Sequence, residues 1–329
     1  MYAPCAKTCV RDILPEIPLA RVVEYSNGVK VPVIGLGTAD TPANVAKRVV
    51  MDAIDVGIRH IDCSPTFCNQ EEIGEGIKHK IDEGIIKREE LYISSKLWDS
   101  RHEPRYVRRT LEETLKQLQV AYLDNYVLQT PMALKESVEF FPRNTRGEII
   151  FSDVDYLDTW RAMESLVDLG LVRSIGLANF NAEQIMRIME ISRIPPSNLQ
   201  VECNPYITQI KLMDLCCKHR MVFMAYNVTG RISRDEKILP LMNTPEIRCL
   251  AKKYGRNPAE ILIRYQTQRG NVVLVKTVDK EYMIQKLNIE KFHLSRDDME
   301  KLDAMNCNVR KVKLSYGSGH IHHPFENDC

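Results

Sequence analysis

No stretch of this chain has the run of about 20 apolar residues that a bilayer-spanning helix needs, which excludes an integral membrane protein of that kind. The first twenty residues lack a signal-peptide core, because Arg11, Asp12 and Glu16 stand among prolines, and they read as a flexible leader, 1–20. An excess of either charge is missing too: 45 Lys and Arg face 44 Asp and Glu, for a formal net charge of +1. Neither nucleic acid nor an acidic membrane surface is therefore expected as a partner. No Cys-x-x-Cys pair occurs, and the chain closes on Asn327-Asp328-Cys329, which is not a prenylation box. A Gly-x-Gly-x-x-Gly turn after a strand is absent as well, which argues against an open, doubly wound dinucleotide fold.

What is present is ordinary for a globular protein: 44% hydrophobic and 27% charged residues over 329 positions, enough for a full core. The 10 cysteines are scattered along predicted strands and helices, a pattern of reduced thiols that points to the cytoplasm rather than to a disulfide framework. Around Asn27-Gly28, two short β runs, 21–25 and 29–33, predict a hairpin. Apolar strand-like runs follow at 33–37, 59–63, 91–96, 123–129, 173–178, 198–202, 222–226 and 272–276. Amphipathic segments such as 43–56, 105–118, 158–169, 182–191 and 258–267 lie between them, and a last helix is expected near 295–305. Continuous apolar strands alternating with helices predict a parallel sheet clothed in helices, and this many units fit a closed (β/α)8 TIM barrel. Long loops, 131–156 and 227–244, follow the fourth and seventh strands on the C-terminal face, and a tail, 310–329, completes one domain over 21–329.

Polar or ionisable residues close the apolar strands one after another: Asp62, Lys96, Gln129, Asn179, Gln200, Tyr226 and Lys276. Any one of them could be accidental. In a barrel, all of them converge on one mouth.

The wording around these positions resembles the aldo-keto reductases from about Glu24 to Glu326. It includes Ile34-Gly35-Leu36-Gly37-Thr38, Gly57-Ile58-Arg59-His60-Ile61-Asp62-Cys63, Ser94-Ser95-Lys96-Leu97-Trp98, Phe141-Pro142 and Asp158-Thr159-Trp160. Ile175-Gly176-Leu177-Ala178-Asn179-Phe180-Asn181 and Gln200-Val201-Glu202-Cys203-Asn204-Pro205-Tyr206 complete it. The resemblance implies an NADP(H)-dependent carbonyl reductase ancestry and a catalytic group of Asp, Tyr, Lys and His. Asp62 and Lys96 match that group, whereas the tyrosine falls at Phe67 and the histidine at Gln129.

In the family the tyrosine hydroxyl protonates the alkoxide that hydride addition creates, and the lysine lowers its pKa. Phenylalanine has the same shape and no proton, and losing a general acid costs about 10²–10⁴ in rate. Gln129 can donate a hydrogen bond but cannot titrate. The retained Lys96 and Asp62 read first as a buried ion pair, since removing one partner would strand the other. On the substrate wall Trp98 is retained, while two family tryptophans fall at Ala39 and Thr130.

The resemblance places the nicotinamide against Asn179, Gln200 and Tyr226, and the 2′-phosphate pocket at Lys276, Thr277 and Val278. Ala178 and Asn227 replace two family serines. The phosphate-binding arginine falls at Tyr282, the adenine-contacting pair falls at Gln285 and Lys286, and Asp279 adds a negative charge. These losses imply weakened NADP(H) binding and leave the choice between NADPH and NADH open.

The tract His320, His322 and His323 reads as a solvated tail rather than a metal site, and no metal is expected. Three functions follow. One is a nucleotide- or ligand-binding relative with carbonyl reduction lost or strongly impaired, acting as a monomer. Another is an active oxidoreductase on quinones, whose reduced anions need no internal acid. The last is a structural or protein-interaction role.

Overall fold

The structure, a computed structural model, describes residues 21–230 and 239–325. The leader, 1–20, and the last four residues lie outside them, as does part of the loop 227–244. A two-stranded antiparallel hairpin, β1 (Val22–Glu24) and β2 (Lys30–Pro32), opens the described chain. Its turn is made by Gly28 at φ +85°, a left-handed conformation that costs glycine nothing.

Eight parallel strands then close into a barrel: β3 (Ile34–Gly37), β4 (His60–Asp62), β5 (Tyr92–Leu97), β6 (Asn125–Leu128), β7 (Ile175–Ala178), β8 (Asn198–Glu202), β9 (Val222–Tyr226) and β10 (Val272–Val275). Closure is direct, with β10 pairing β3 at Val273 opposite Ile34 and pairing β9 at Val272 opposite Met224. The predicted strands are all present, several shortened by one to three residues where the chain leaves the ladder and 91–96 shifted by one.

Outside run α1 (Ala43–Val56), α2 (Gln70–Asp82), α3 (Pro104–Leu118), α4 (Tyr156–Asp168), α5 (Ala182–Ile191), α6 (Ile210–Lys218), α7 (Pro245–Tyr254), α8 (Pro258–Gln268), α9 (Lys280–Leu287) and α10 (Arg296–Asp303). Starts are marked by sequence: Asn181 and Asn257 form reciprocal capping boxes with Gln184 and Glu260, and Pro104, Pro245 and Pro258 stand at first helical positions. Their apolar stripes bury against the strands' outer faces, joining Ile54, Ile77, Leu111, Trp160 and Ile188 to Ile61, Ile93, Leu128 and Leu177 in one core. A smaller cluster at the hairpin end, Tyr25, Val31, Tyr92, Met224 and Val272, plugs the bottom of the barrel. Among the described residues, no helix is long and apolar enough to cross a membrane.

One close approach governs how α2 meets α3. A Cβ at Gly74 would stand 2.3 Å from the Gln117 carbonyl oxygen and 2.6 Å from the Leu118 carbonyl carbon. Helix propensity alone makes Gly→Ala favourable by about 0.8–1.0 kcal/mol, whereas backbone overlap costs about 1–3 kcal/mol. Gly74→Ala is therefore expected to destabilise the fold in urea unfolding. A stability equal to or above that of the unaltered protein would show that the two helices part without cost.

Candidate active site at the barrel mouth

Parallel strands carry all their C-terminal ends to one face. Asp62 ends β4, Lys96 lies one residue from the end of β5, Gln129 follows β6, Asn179 follows β7, Gln200 lies in β8, Tyr226 ends β9 and Lys276 follows β10. The register sets their heights, pairing Gly37 with Asp62, Asp62 with Ser94, and Ala178 with Gln200.

At the centre, Lys96 Nζ donates to Asp62 Oδ2 at 2.6 Å and to the Cys63 carbonyl oxygen at 2.9 Å. Asp62 Oδ1 accepts from Ser94 Oγ at 2.8 Å and Gln200 Nε2 at 3.1 Å. Asp62 and Lys96 are each only 4% exposed, so the carboxylate's lone pairs are met by protein donors in place of water. Burial pushes the neighbouring Cys63 thiol up to about 12, which keeps it neutral and unreactive.

Above the pair stands Phe67. Ser64 begins a one-turn 3₁₀ segment, Pro65–Phe67, in which the Phe67 N–H donates to the Ser64 carbonyl at 3.1 Å and Pro65 presets the first φ. The turn leaves Phe67 half-exposed, with the Lys96 ammonium 5.5 Å from its ring centroid. The ammonium is thus in cation–π range of a ring that has no hydroxyl to offer it. Among the described residues, no hydroxyl or imidazole hydrogen-bonds the Lys96 ammonium.

Gln129 is held on two sides. Its Oε1 accepts from Ser64 Oγ at 2.8 Å, and its backbone oxygen accepts from Asn179 Nδ2 at 3.0 Å. Asn179 sits at φ +59°, a left-handed conformation asparagine tolerates, and its Oδ1 accepts from the Tyr226 hydroxyl at 2.6 Å. Burial pushes that phenol well above its ordinary pKa, so Tyr226 remains protonated.

On the opposite wall Trp98 is buried, donating from Nε1 to the Phe140 carbonyl at 2.7 Å. Phe141 and Tyr316 lie 5.3 and 5.6 Å from its ring and 5.1 Å from each other. Behind them the Tyr316 hydroxyl donates to Asp99 Oδ2 at 2.7 Å. Burial pushes the Asp99 carboxyl up to about 7 against the pull of the Tyr316 and Thr130 hydroxyls, and burial pushes His102 down to about 3. Thr130 is buried and accepts from the Met132 N–H at 3.1 Å, while Ala39 is half-buried at the end of β3.

Comparison with known proteins agrees with this geometry. The aldo/keto reductase family model matches residues 33–306. The chain belongs to the aldo/keto reductase family. It is 39% identical over 318 residues to rat (Rattus norvegicus) aldo-keto reductase family 1 member C18, covering 93% of this chain and 98% of that protein. It is also 39% identical over 326 residues to Xenopus tropicalis aldo-keto reductase family 1 member A1, covering 94% and 99%. Among solved structures, the aldose reductase of Schistosoma japonicum superposes with a TM-score of 0.89 at 36% identity, covering 94% of this chain and 100% of that one. Members of the family generally use NADP(H).

Where the family resemblance places a nicotinamide, Asn179, Gln200 and Tyr226 stand together, and each amide keeps an uncommitted donor or acceptor, so these residues fit a carboxamide. The 2′-phosphate end fits poorly. Lys276 is exposed and paired with Asp40 at 3.2 Å, and Asp279 caps the Glu281 and Tyr282 amides at the start of α9, the place an anion would take. Val278 and Tyr282 point to solvent, 43% and 53% exposed, and Thr277 Oγ1 accepts from the Asp279 amide at 3.2 Å. Lys286 donates to the Lys276 carbonyl at 3.3 Å, and burial pushes its ammonium down to about 8, still mostly charged at pH 7.

The tail corrects one expectation. His320 is 3% exposed, not solvated; its Nδ1 accepts from the His322 amide at 2.9 Å, which leaves Nε2 to donate to the Ala133 carbonyl at 3.1 Å. Its ring meets Phe151, and that of His322 meets Tyr156. The reason is that the tail folds back over the mouth, pinned where buried Glu202 accepts the Lys311 and Val312 amides at 2.9 and 2.8 Å. Sequence reasoning missed the parts played by Glu202, Ser64, Asp99 and Tyr316. Only Asp99, a charge directly after the Trp98 strand end, carried a local signal.

Two outcomes are expected. Lys96→Met alone strands a buried carboxylate and should cost about 3–5 kcal/mol of unfolding free energy, more than Lys96→Met combined with Asp62→Leu. Equal losses in urea unfolding would show the charges uncoupled. Asp99 holds its proton to about pH 7 when folded but releases it near 3.8 when unfolded, so its contribution to stability falls as pH rises through that window. His102 acts in the opposite sense below pH 6.5, so the difference between the unaltered protein and Asp99→Asn isolates the carboxyl. From pH 5 to pH 8 the variant should gain roughly 2–3 kcal/mol relative to the parent. A constant difference would assign the titration elsewhere.

Proposed function

We propose that this chain is a dinucleotide-binding aldo-keto reductase relative in which reduction of ordinary aldehydes and ketones is lost or strongly impaired. One observation carries the reading: the Lys96 ammonium faces the Phe67 ring, with Gln129 beside the turn that carries it. A bound nicotinamide would supply the hydride. Asn179, Gln200 and Tyr226 would orient its ring, and Lys276, Thr277 and Val278 would border its adenosine end. The developing alkoxide would then find Gln129 as a neutral donor, and Lys96 committed to Asp62 and Cys63. Asp62 and Lys96 accordingly act as the framework of the mouth. The reading takes the protein as a monomer of one barrel domain over 21–329 in the cytoplasm; the unpaired state of Cys63, Cys68, Cys203, Cys216, Cys217, Cys249 and Cys307 supports a reducing compartment.

A second reading, an oxidoreductase acting on quinones, is favoured by the aromatic wall. The rings of Trp98, Phe141 and Tyr316 offer flat apolar contact, and a reduced quinone is a stabilised anion that water can protonate. Ala39, half-buried, and Thr130, buried, are smaller than the tryptophans the family resemblance places there.

Titration of protein fluorescence with NADPH and NADH is expected to show saturable binding of both, with affinities within about tenfold because no arginine clamps the 2′-phosphate. Aldehyde and ketone turnover should be absent or about 10²–10⁴ below family rates, and Phe67→Tyr combined with Gln129→His should raise it by about 10² or more. Ordinary ketone reduction by the unaltered chain would overturn the proposal. Failure of the double variant despite nucleotide binding would assign the defect to the substrate wall.

A further inference from the structure

Behind the aromatic wall, the carboxyl of Asp99 is wholly buried and only half satisfied. Its Oδ2 accepts the Tyr316 hydroxyl at 2.7 Å, while Oδ1 has no hydrogen-bond partner among the described residues. Facing Oδ1 at 3.9 Å is Nε2 of His102, a residue 1% exposed whose two ring nitrogens are both unpartnered. No lysine or arginine among the described residues pairs with this carboxyl, and Arg101 in the same turn is committed to Glu136 at 3.0 Å. A carboxylate here lacks both water and a counter-cation, whereas a neutral carboxyl can carry its proton on Oδ1, toward the His102 ring.

The tail is pinned at two places, by Glu202 at Lys311 and Val312 and by the Ala133 carbonyl at His320. Between the pins Lys313, Ser315, Ser318 and Gly319 are exposed. Leu314 sits at φ +53°, a left-handed conformation that a bulky side chain adopts only under constraint. Tyr316 is the side chain that this arc turns inward, with its ring against Trp98 and Phe141 and its hydroxyl on Asp99.

We propose that Asp99 is a proton-operated latch for this arc: the neutral carboxyl seats Tyr316 against Trp98 and Phe141, and ionisation releases residues 313–319 so that water reaches the carboxylate. Asp99 is thus a positioning residue for the aromatic wall, whatever ligand that wall meets. The groups that face it do not compensate its charge. Burial pushes the Tyr316 phenol well above its ordinary value, and does the same to Tyr226 beyond it, so both stay protonated. His102 is held neutral by burial down to about 3. His320 and His322, close enough to bear on His102, are lowered by burial too, so neither is charged above pH 7. Thr130 offers only a hydroxyl. Burial holds the docked carboxyl at about 7, against an ordinary value of 3.8 once water reaches it. Proton binding therefore favours the docked arc, and docking weakens as pH rises through that window and levels off above it.

The test follows amide hydrogen exchange of the full chain by mass spectrometry between pH 5 and pH 8.5, each rate divided by that of the unstructured peptide at the same pH. Peptides from 313–325 are compared with peptides from β5, which report global opening. In the unaltered protein the tail should exchange faster than β5 at every pH. Its protection relative to Asp99→Asn should fall about tenfold per pH unit from pH 5 to pH 7 and level off above. Asparagine keeps an acceptor for Tyr316 and cannot titrate. The comparison also cancels the opposite response of His320, whose Nδ1 loses the His322 amide on protonation. Asp99→Ala should be equally free of the carboxyl response, with a tail about three- to tenfold less protected than in Asp99→Asn. Tail protection that ignores pH relative to Asp99→Asn overturns the latch. So does a tail that exchanges only together with β5, because the carboxyl would then meet water only on complete unfolding. The unaltered chain alone decides that second outcome should the asparagine variant fail to fold. None of these outcomes bears on nucleotide binding, which the NADPH titration measures.

Discussion

The buried pair of Lys96 and Asp62 organises the mouth of this barrel. Two opposite charges, each almost wholly withdrawn from water, hold together only because every strong donor and acceptor around them is matched: Ser94 and Gln200 on the carboxylate, the Cys63 carbonyl on the ammonium. In a low-dielectric interior such a pair is costly to split and nearly indifferent to being kept. That asymmetry is reason enough for a chain to keep both residues, whatever chemistry takes place beside them. Retention by itself is evidence of a fold, not of a reaction.

Around that pair the changes are mutually consistent. A ring without a hydroxyl meets the ammonium, and the Gln129 amide is hydrogen-bonded by Ser64. Neither Phe67 nor Gln129 carries a titratable group, and both keep the shape or hydrogen bonding of the mouth. The same drift shows at the adenosine end, where Asp279 occupies its own helix start and Asp40 pairs with Lys276. There, charged side chains are satisfied within the protein.

The tail belongs to this economy of contacts. Glu202 draws in the backbone of Lys311 and Val312, Asp99 holds Tyr316 against Trp98, and His320 is drawn under the loop at Ala133. These links run between segments far apart in the chain, so the substrate wall is made by the tail as much as by the strands.

The strand and helix rhythm, the hairpin at Asn27-Gly28 and the convergence of Asp62, Lys96, Gln129, Asn179, Gln200 and Tyr226 were legible in the amino-acid order, because periodicity and strand ends are local properties. That residue 67 carries a ring without a hydroxyl is likewise plain from the sequence. Tertiary structure alone decided the rest: that Ser64 reaches Gln129 across 65 residues, that Tyr316 reaches Asp99 across 217, and that His320 of the tail is buried rather than solvated. Such contacts depend on where the closed barrel brings distant segments, and a hydrogen bond between them leaves no trace in the neighbours of either residue.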